Sequence, residues 1–325
     1  MEDVAAKAGV SRALVSIVFR GAPGASESAR QRVLTAAEEL GYQPDRRASR
    51  LGRSRTRMLG VVFSLGHDFH AEVVDGIYPA ADEHGYEVVL SGVSPRRDEE
   101  AAIRAVLAER CEGVALVGPQ LSGRRIAGLV GRLPTVAVLR DVRGPTVDVV
   151  RSDEAAGVTQ LVEHLHRLGH ERILYLEGGT APGAGPRRRA YGSTMARLGL
   201  QPATLPGGLT EEAGAHAAAR ILEQPDGRRP TAVAAFNDRC ALGLLHLLIR
   251  HGVRVPEDIS VVGFDDITAA GHAHIDLTTV HQDTDALATL AVNSIRQRLE
   301  HDAAPTRSIV PPTLVVRGTT AAPSH

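Results

Sequence analysis

The sequence predicts two parts of different class: a small all-α helix-turn-helix head and a larger α/β body with doubly wound parallel sheets. Three observations predict it. Residues 1–44 carry helical periodicity interrupted by a tight glycine turn. From Met58 onward, short apolar runs alternate with amphipathic helical stretches. Between the two, residues 45–57 (DRRASRLGRSRTR) hold six arginines and few apolar groups, the composition of a linker.

In the head, Val4, Ala5 and Ala8 share one face of a first helix that Gly9, able to take positive φ, brings to an end. Ser11 is placed to cap a second helix whose inward face is Leu14, Val15, Val18 and Phe19. After the loop Ala22-Pro23-Gly24, Ser26 caps a third helix with Val33, Ala36, Ala37 and Leu40 inward, closed by Gly41 and Pro44. Three helices with a Gly turn between the first two describe a helix-turn-helix. Met1 stands almost inside the first helix and offers it no capping side chain, so either the start lies upstream or the head forgoes about 1 kcal/mol.

In the body, the apolar runs Leu59–Phe63, Val88–Leu90, Val114–Val117, Val136–Leu139, Ile173–Leu176, Ala232–Phe236 and Ile259–Phe264 read as strands. Helical stretches separate them: Ala71–His84, Glu99–Arg110, Ala155–Leu168, Glu211–Glu223 and Cys240–His251. Seven strands, with further pairing residues near Thr279 and Leu314, suggest two sheets rather than one.

Composition narrows the function classes. No run approaches the roughly 18 apolar residues of a membrane span, and no signal segment precedes the first helix, so a cytoplasmic chain with no membrane partner is expected. Two distant cysteines, Cys111 and Cys240, exclude a disulfide scaffold and a four-ligand zinc site, and read as small buried apolar groups. Residues 1–57 carry 11 of the 37 Lys+Arg but only 6 of the 38 Asp+Glu, which leaves a basic head on an acidic body. That asymmetry suits a nucleic-acid-binding module attached to something else. No Gly-x-Ser-x-Gly, HExxH or Walker pattern appears, so no enzyme, metal or cofactor is expected. His67-x-x-His70 and the group His164, His166 and His170 read as satisfied histidines rather than metal ligands.

An ordered series of motifs spans the chain. Asp3-Val-Ala-x-x-Ala-Gly-Val-Ser11 leads to Val15-Ser16-x-Val18, then Leu40-Gly-Tyr42-x-Pro44 and Ala48-x-x-Leu51. His164-Leu-x-x-Leu-Gly-His170, Phe236-Asn-Asp238-x-x-Ala-Leu-Gly243, Val255-Pro-x-Asp-Ile-Ser-Val-Val-Gly-Phe-Asp-Asp266 and Thr278-Thr-Val-x-Gln282 follow. Together they resemble the LacI family of bacterial regulators. The resemblance implies a repressor that works as a homodimer on a pseudo-palindromic double-stranded operator, with operator affinity modulated by a small effector, most readily a sugar or sugar derivative. It further implies a periplasmic-binding-protein-like body. The implied division is 1–44 head, 45–57 hinge helix or linker, and 58–325 ligand-sensing and dimerisation body. Lobe 1 takes about 58–152 and 284–308, and lobe 2 about 153–283 and 309–325.

The second helix of such a head lies in the major groove with its first residues nearest the bases. Arg12 there can pair bidentately with guanine or clamp a phosphate, whereas Ala13 offers only apolar contact. Ile17 departs from the polar or basic residue usual in the family. Ser11, Ser16 and Ser26 are candidate phosphate donors as well as caps. By resemblance the hinge folds on DNA, with Leu51 wedged into a minor-groove base step and Arg47 and Arg50 against phosphates. Gly52 departs from the helix-favouring residue usual there.

Ligands of doubly wound sheets bind beyond the carboxyl ends of strands. Phe69, His70, Asn237, Asp238, Asp265 and Gln282 follow apolar runs and are expected to line the effector site, with Asp238 equally placed to cap a helix. Arg189 is similar to the family's ligand-contacting arginine, and Tyr191 offers a platform to a sugar face. Gly178-Gly-x-x-Pro-Gly-x-Gly185 reads as a cleft-lining loop, since it lacks the Gly-Lys-Ser/Thr ending of a phosphate loop. The alternatives are a ligand-binding protein with a degraded head, or a sensor of a nucleoside or other polar metabolite.

Overall fold

The computed structural model describes residues 1–19, 22–42, 55–144, 146–301 and 303–324, and the expected hinge residues Arg47, Arg50 and Leu51 lie outside them. Met1–Thr56 and Arg57–His325 form separate compact units.

The head holds α1 (Glu2–Ala8), α2 (Arg12–Phe19) and α3 (Glu27–Glu39). Gly9 ends α1 at φ 65°, and Met1 occupies the N-cap without a side-chain bond. Ser11 Oγ accepts from the Leu14 amide at 3.2 Å and Ser26 Oγ from the Ala29 amide at 3.3 Å, so both serines cap. Val4, Val15, Val18 and Val33 pack together, each burial stabilising by about 1.5–3 kcal/mol. Leu40 is a correction: α3 stops at Glu39, and Leu40, its C-cap, is 43% exposed. Tyr42 takes its place against the core, 5.7 Å from the Phe19 ring.

The body runs β1 (Met58–Ser64), α4 (Asp68–Asp82), β2 (Glu87–Val93), α5 (Glu99–Ala108), β3 (Gly113–Val117), α6 (Gly123–Val130), β4 (Thr135–Val138) and β5 (Val147–Ser152). It continues with α7 (Glu154–Arg167), β6 (Ile173–Glu177), α8 (Ala184–Arg197), β7 (Ala203–Pro206), α9 (Glu211–Leu222), β8 (Ala232–Ala234), α10 (Asp238–Arg250) and β9 (Ser260–Val262). Then come β10 (Thr279–His281), α11 (Thr284–His301), β11 (Arg307–Val310) and β12 (Thr313–Val315). One six-stranded sheet has the order β11-β5-β4-β3-β1-β2, a four-stranded sheet β7-β6-β8-β9, and β10 pairs with β12. Both larger sheets are parallel throughout. Every residue of β3 and β4 is buried, as sheets covered on both faces require.

The chain leaves the six-stranded sheet after β5, builds the four-stranded one, and returns through α11 to β11 beside β5. Asp148, fully buried on β5, secures the return: it accepts from the Thr306 amide (2.7 Å), the Thr306 hydroxyl (2.9 Å) and Arg298 (3.2 Å). On the other sheet α9 and α10 cross backbone to backbone. A Cβ on Gly243 would lie 1.8 Å from the Glu211 carbonyl, and one on Gly214 1.9 Å from that of Cys240. Gly243→Ala is therefore expected to cost about 1–3 kcal/mol or more, read as a lower urea midpoint at unchanged slope.

His170, fully buried, ties the last residues to the body. Its Nε2 faces the Ala321 carbonyl at 2.9 Å and so carries the proton, which leaves Nδ1 to accept from the Thr231 hydroxyl at 3.0 Å. Burial lowers its pKa below the ordinary 6.5, opposed by the Ala321 bond. A His held neutral by the fold contributes stability that is present above pH 6.5 and lost as pH falls toward the depressed value. Thermal unfolding of the wild type is expected to fall more steeply between pH 7.5 and pH 5.5 than that of His170→Gln, about the span set by the ordinary imidazole pKa. Equal slopes would refute the assignment.

Candidate functional site

On the head, Ser11, Arg12 and Ala13 are exposed at the start of α2, whereas Ser16 and Ile17 are half-buried. Arg12 Nη1 donates to Glu2 Oε1 at 3.0 Å, with both side chains mostly exposed. An exposed pair of this kind is worth about 0–1 kcal/mol, so a base edge or phosphate can displace it. Ile17 leans toward Gly24 of the following loop, with its methyl groups 3.9–4.0 Å from where a Cβ there would stand. It therefore braces the turn into α3. Ser26 Oγ, besides capping, lies 3.2 Å from Ser28 Oγ.

In the body a cleft is lined from the carboxyl ends of strands in both sheets. His67, Phe69 and His70 follow β1, Gln120 follows β3, and Leu139 follows β4. Glu154 follows β5, Asn237 follows β8, Asp265 follows β9 and Gln282 follows β10. Two lining residues hold positive φ without being glycine, Leu139 at 68° and Asp265 at 121°. Backbone strain of this kind, worth of order 1–3 kcal/mol, persists where the surroundings over-determine a site.

The floor is built around Arg187, 5% exposed. Its Nε donates to Glu154 Oε2, Nη1 donates to the Phe236 carbonyl at 2.7 Å, and Nη2 lies 3.6 Å from Asp265 Oδ1. The Phe264 and Phe236 rings face the guanidinium at 3.5 and 4.7 Å. Burial opposes the Arg187 charge, and Glu154 and Asp265 outweigh it, so the group stays a cation. Burial raises the Asp265 pKa well above the carboxylate range, with Arg187 opposing and Asp238 adding to the rise. Gln282 Nε2 donates to Asp265 Oδ1 at 2.8 Å. Asn237 Oδ1 caps α10 at the Cys240 amide (3.0 Å), and its Nδ2 donates to the Leu209 carbonyl (3.3 Å).

His70 stacks on His67 at 4.7 Å and accepts at Nδ1 from the Ser64 amide at 3.4 Å. Burial, with His67 beside it, pushes its pKa down to about 3, so it is a neutral ring whose Nε2 holds the proton.

Of the residues expected in the cleft, Phe69, His70, Asn237, Asp265 and Gln282 line it. Arg189 does not: it is exposed on α8, and Arg187 is the arginine that reaches the floor. Helical phase carries the signal, since Arg187, Ala190, Tyr191, Thr194 and Met195 form the buried face of α8. Tyr191 is core, 1% exposed, stacked on Tyr175 at 5.1 Å, with its hydroxyl donating to a strand carbonyl, Ile173 (2.8 Å) or Ala203 (3.0 Å). Asp238 neither caps α10 nor lines the cleft. It accepts from the Thr279 hydroxyl (2.5 Å) and the Ile267 amide (2.9 Å), and burial raises its pKa to about 6. Sequence reasoning missed Glu154, Arg187 and Phe236, because a buried ion pair leaves no periodic pattern. Among the described residues no cluster of His, Cys, Asp and Glu fits a metal ion, and no helix is long and apolar enough to cross a membrane.

Residues 1–45 match the family model of bacterial regulatory proteins of the lacI family, and residues 162–320 match that of a periplasmic binding protein-like domain. The chain is 30% identical to the HTH-type transcriptional regulator GalR of Escherichia coli strain K12, over all of this chain and 96% of that protein. Among solved structures, a LacI transcriptional regulator from a Rhodococcus species is 42% identical, at a TM-score of 0.79 over 82% of this chain and 98% of that one. The Lac repressor dimer bound to operator and the anti-inducer ONPF is 31% identical, at a TM-score of 0.84 over 98% of both chains. With its helix-turn-helix head and two-sheet body matched end to end, the chain belongs to the LacI family of bacterial regulators and is a DNA-binding regulator of transcription.

Proposed function

We propose that the chain represses transcription in the cytoplasm as a homodimer on a pseudo-palindromic operator, and that a sugar or sugar derivative held in the body's cleft modulates operator affinity. The observation that carries the effector reading is the convergence of Arg187, Glu154, Asp265, Asn237 and Gln282 on one cleft at strand carboxyl ends. Fixed carboxylate, amide and guanidinium groups match the adjacent hydroxyls of a sugar, and Phe69 and Phe236 give it apolar cover. The Lac repressor structure is a dimer on operator, which supports the dimer and the DNA partner here.

At the operator, Arg12 reads a base edge in the major groove, Ala13 packs near it, and Ser11, Ser16 and Ser26 meet phosphates. Ile17 supports the reading helix. Arg47, Arg50 and Leu51 form the minor-groove hinge. Effector binding draws the two sheets around the ligand and changes the geometry that the paired bodies impose on the paired heads. This is allostery to the extent that effector affinity differs between the DNA-bound and free states.

Retention of genomic fragments by the full chain, followed by sequencing, is expected to return a pseudo-palindromic site. Arg12→Ala should weaken that site by about 1–3 kcal/mol, roughly 5–150-fold, in fluorescence anisotropy. Failure to retain any site at moderate salt would sink the operator reading. In the same assay, Arg187→Ala is expected to abolish the response to effector and to lower stability by about 3–5 kcal/mol, because Glu154 and Asp265 lose their counter-charge. Arg189→Ala should leave stability within about 0.5 kcal/mol and keep the response. The reverse pattern would return the ligand role to Arg189.

A further inference from the structure

The positive charge of the DNA-binding end is unevenly placed. Residues 1–44 hold five Lys+Arg and five Asp+Glu, so the helix-turn-helix itself is formally neutral. Residues 45–57 hold six arginines and one aspartate. Attraction to the DNA backbone scales with the cations that meet phosphates. The helical head therefore adds little net attraction, and what it adds depends on how its few charges are aimed.

Arg12 is the cation at the start of the reading helix, the first residue of α2, with its side chain 67% exposed. Glu2, the first residue of α1, reaches it across the turn and accepts from Nη1 at 3.0 Å. The first turn of α2 holds no acidic residue of its own. Packing of the two helices brings the carboxylate there, with Val4, Ala5 and Ala8 in one core with Val15 and Val18. Both Glu2 and Asp3 stand in the first turn of α1, but it is Glu2 that bonds Arg12.

Glu2 acts differently on the two targets that Arg12 can meet. A phosphate is drawn by net charge, and the Arg12–Glu2 pair has none. Guanine is neutral and is read by two aimed N–H groups. Arg12 carries five donors, of which Glu2 engages Nη1. The edge formed by Nε and Nη2 has no partner among the described residues. Guanine can take that edge with the pair intact, whereas a phosphate gains its full attraction only once the pair is broken.

We infer that Glu2 is a specificity-determining residue of the operator contact. It holds Arg12 for a guanine edge, withholds it from phosphates, and leaves phosphate attraction to residues 45–57. The inference rests on the operator reading, and it adds the residue that decides between the two modes of contact open to Arg12.

Fluorescence anisotropy of the full chain on a random-sequence duplex, between about 50 and 200 mM salt, tests it. The doubly neutral variant Glu2→Gln/Arg12→Gln is expected to keep the wild-type slope of log affinity against log salt. Glu2→Gln alone should steepen that slope by about 0.9, the value of one phosphate, and bind the random duplex about threefold tighter. On the operator returned by genomic selection, one half-site guanine is expected whose replacement costs the wild type about tenfold. The same replacement should cost Glu2→Gln less and the double variant nothing. Asp3→Asn, which removes an equal charge without freeing Arg12, should keep the wild-type preference. A wild-type slope steeper than that of the double variant makes Arg12 a phosphate clamp and overturns the inference. So does an unchanged slope in Glu2→Gln, the lack of such a guanine, or an Asp3→Asn variant that behaves as Glu2→Gln does. Any of these results with an operator in hand leaves the regulator reading standing, whereas a chain that selects no site sinks both.

Discussion

Arg187 is the interaction on which the cleft depends. A guanidinium this buried is tolerable only with its charge met and its donors used, and the partners that do so come from separate strand ends. Glu154 follows β5, the Phe236 carbonyl follows β8, and Asp265 follows β9. Satisfying one side chain therefore fixes three loops relative to each other. Gln282, bonded to Asp265, brings in the end of β10 as well. Loops held this way behave as one rigid surface, which is what preorganised recognition of a small polar molecule requires.

The same logic of satisfied burial runs through the body. Asp148 anchors the returning chain with three donors, Asp238 links the loop after β9 to β10, and His170 holds the C-terminal residues to β9 and to the segment before β8. Each sits where the chain enters or leaves a sheet, so buried polar groups specify the connections while Val, Leu and Ile fill the layers between. The head uses a smaller version of the scheme, with valines inside and serine hydroxyls at two helix starts.

Fold class was legible in the sequence because the core strands are uninterrupted apolar runs and the main helices have one apolar face. β5 was not, since Asp148 and Arg151 interrupt VDVVRS although the strand is largely buried. β7, ATLP, is a mostly exposed edge strand ending in proline and carries almost no pattern. Much of the cleft was legible from the rule that ligands sit beyond strand ends, which picked out Phe69, His70, Asn237, Asp265 and Gln282. The rule failed on a helix, where only rotational phase tells Arg187 from Arg189, two residues apart in a run of three arginines. It failed again at Tyr191 and Asp238, whose polar atoms are spent on the backbone or on Thr279. A polar residue near a site is not thereby part of it.

The cleft is divided between the sheets: His70, Gln120 and Leu139 come from the six-stranded side, Asn237 and Asp265 from the four-stranded side. A ligand touching both is sensitive to their separation, and only such differential affinity can shift a two-state equilibrium. Two bridges already span the rim. Arg239 Nη1 on α10 donates to the Gly66 carbonyl at 2.6 Å, and Thr268 donates to Glu72 Oε1 through its amide at 2.8 Å and its hydroxyl at 3.0 Å. These are rim contacts of about 0.5–1.5 kcal/mol each, or up to about 3 where a charged group takes part. Effector contacts across the cleft are of the same order, a few kcal/mol, which suffices to move such an equilibrium through most of its range. These polar rim bonds run beside apolar packing that the two halves of the body share, so a ligand in the cleft acts on the balance of both.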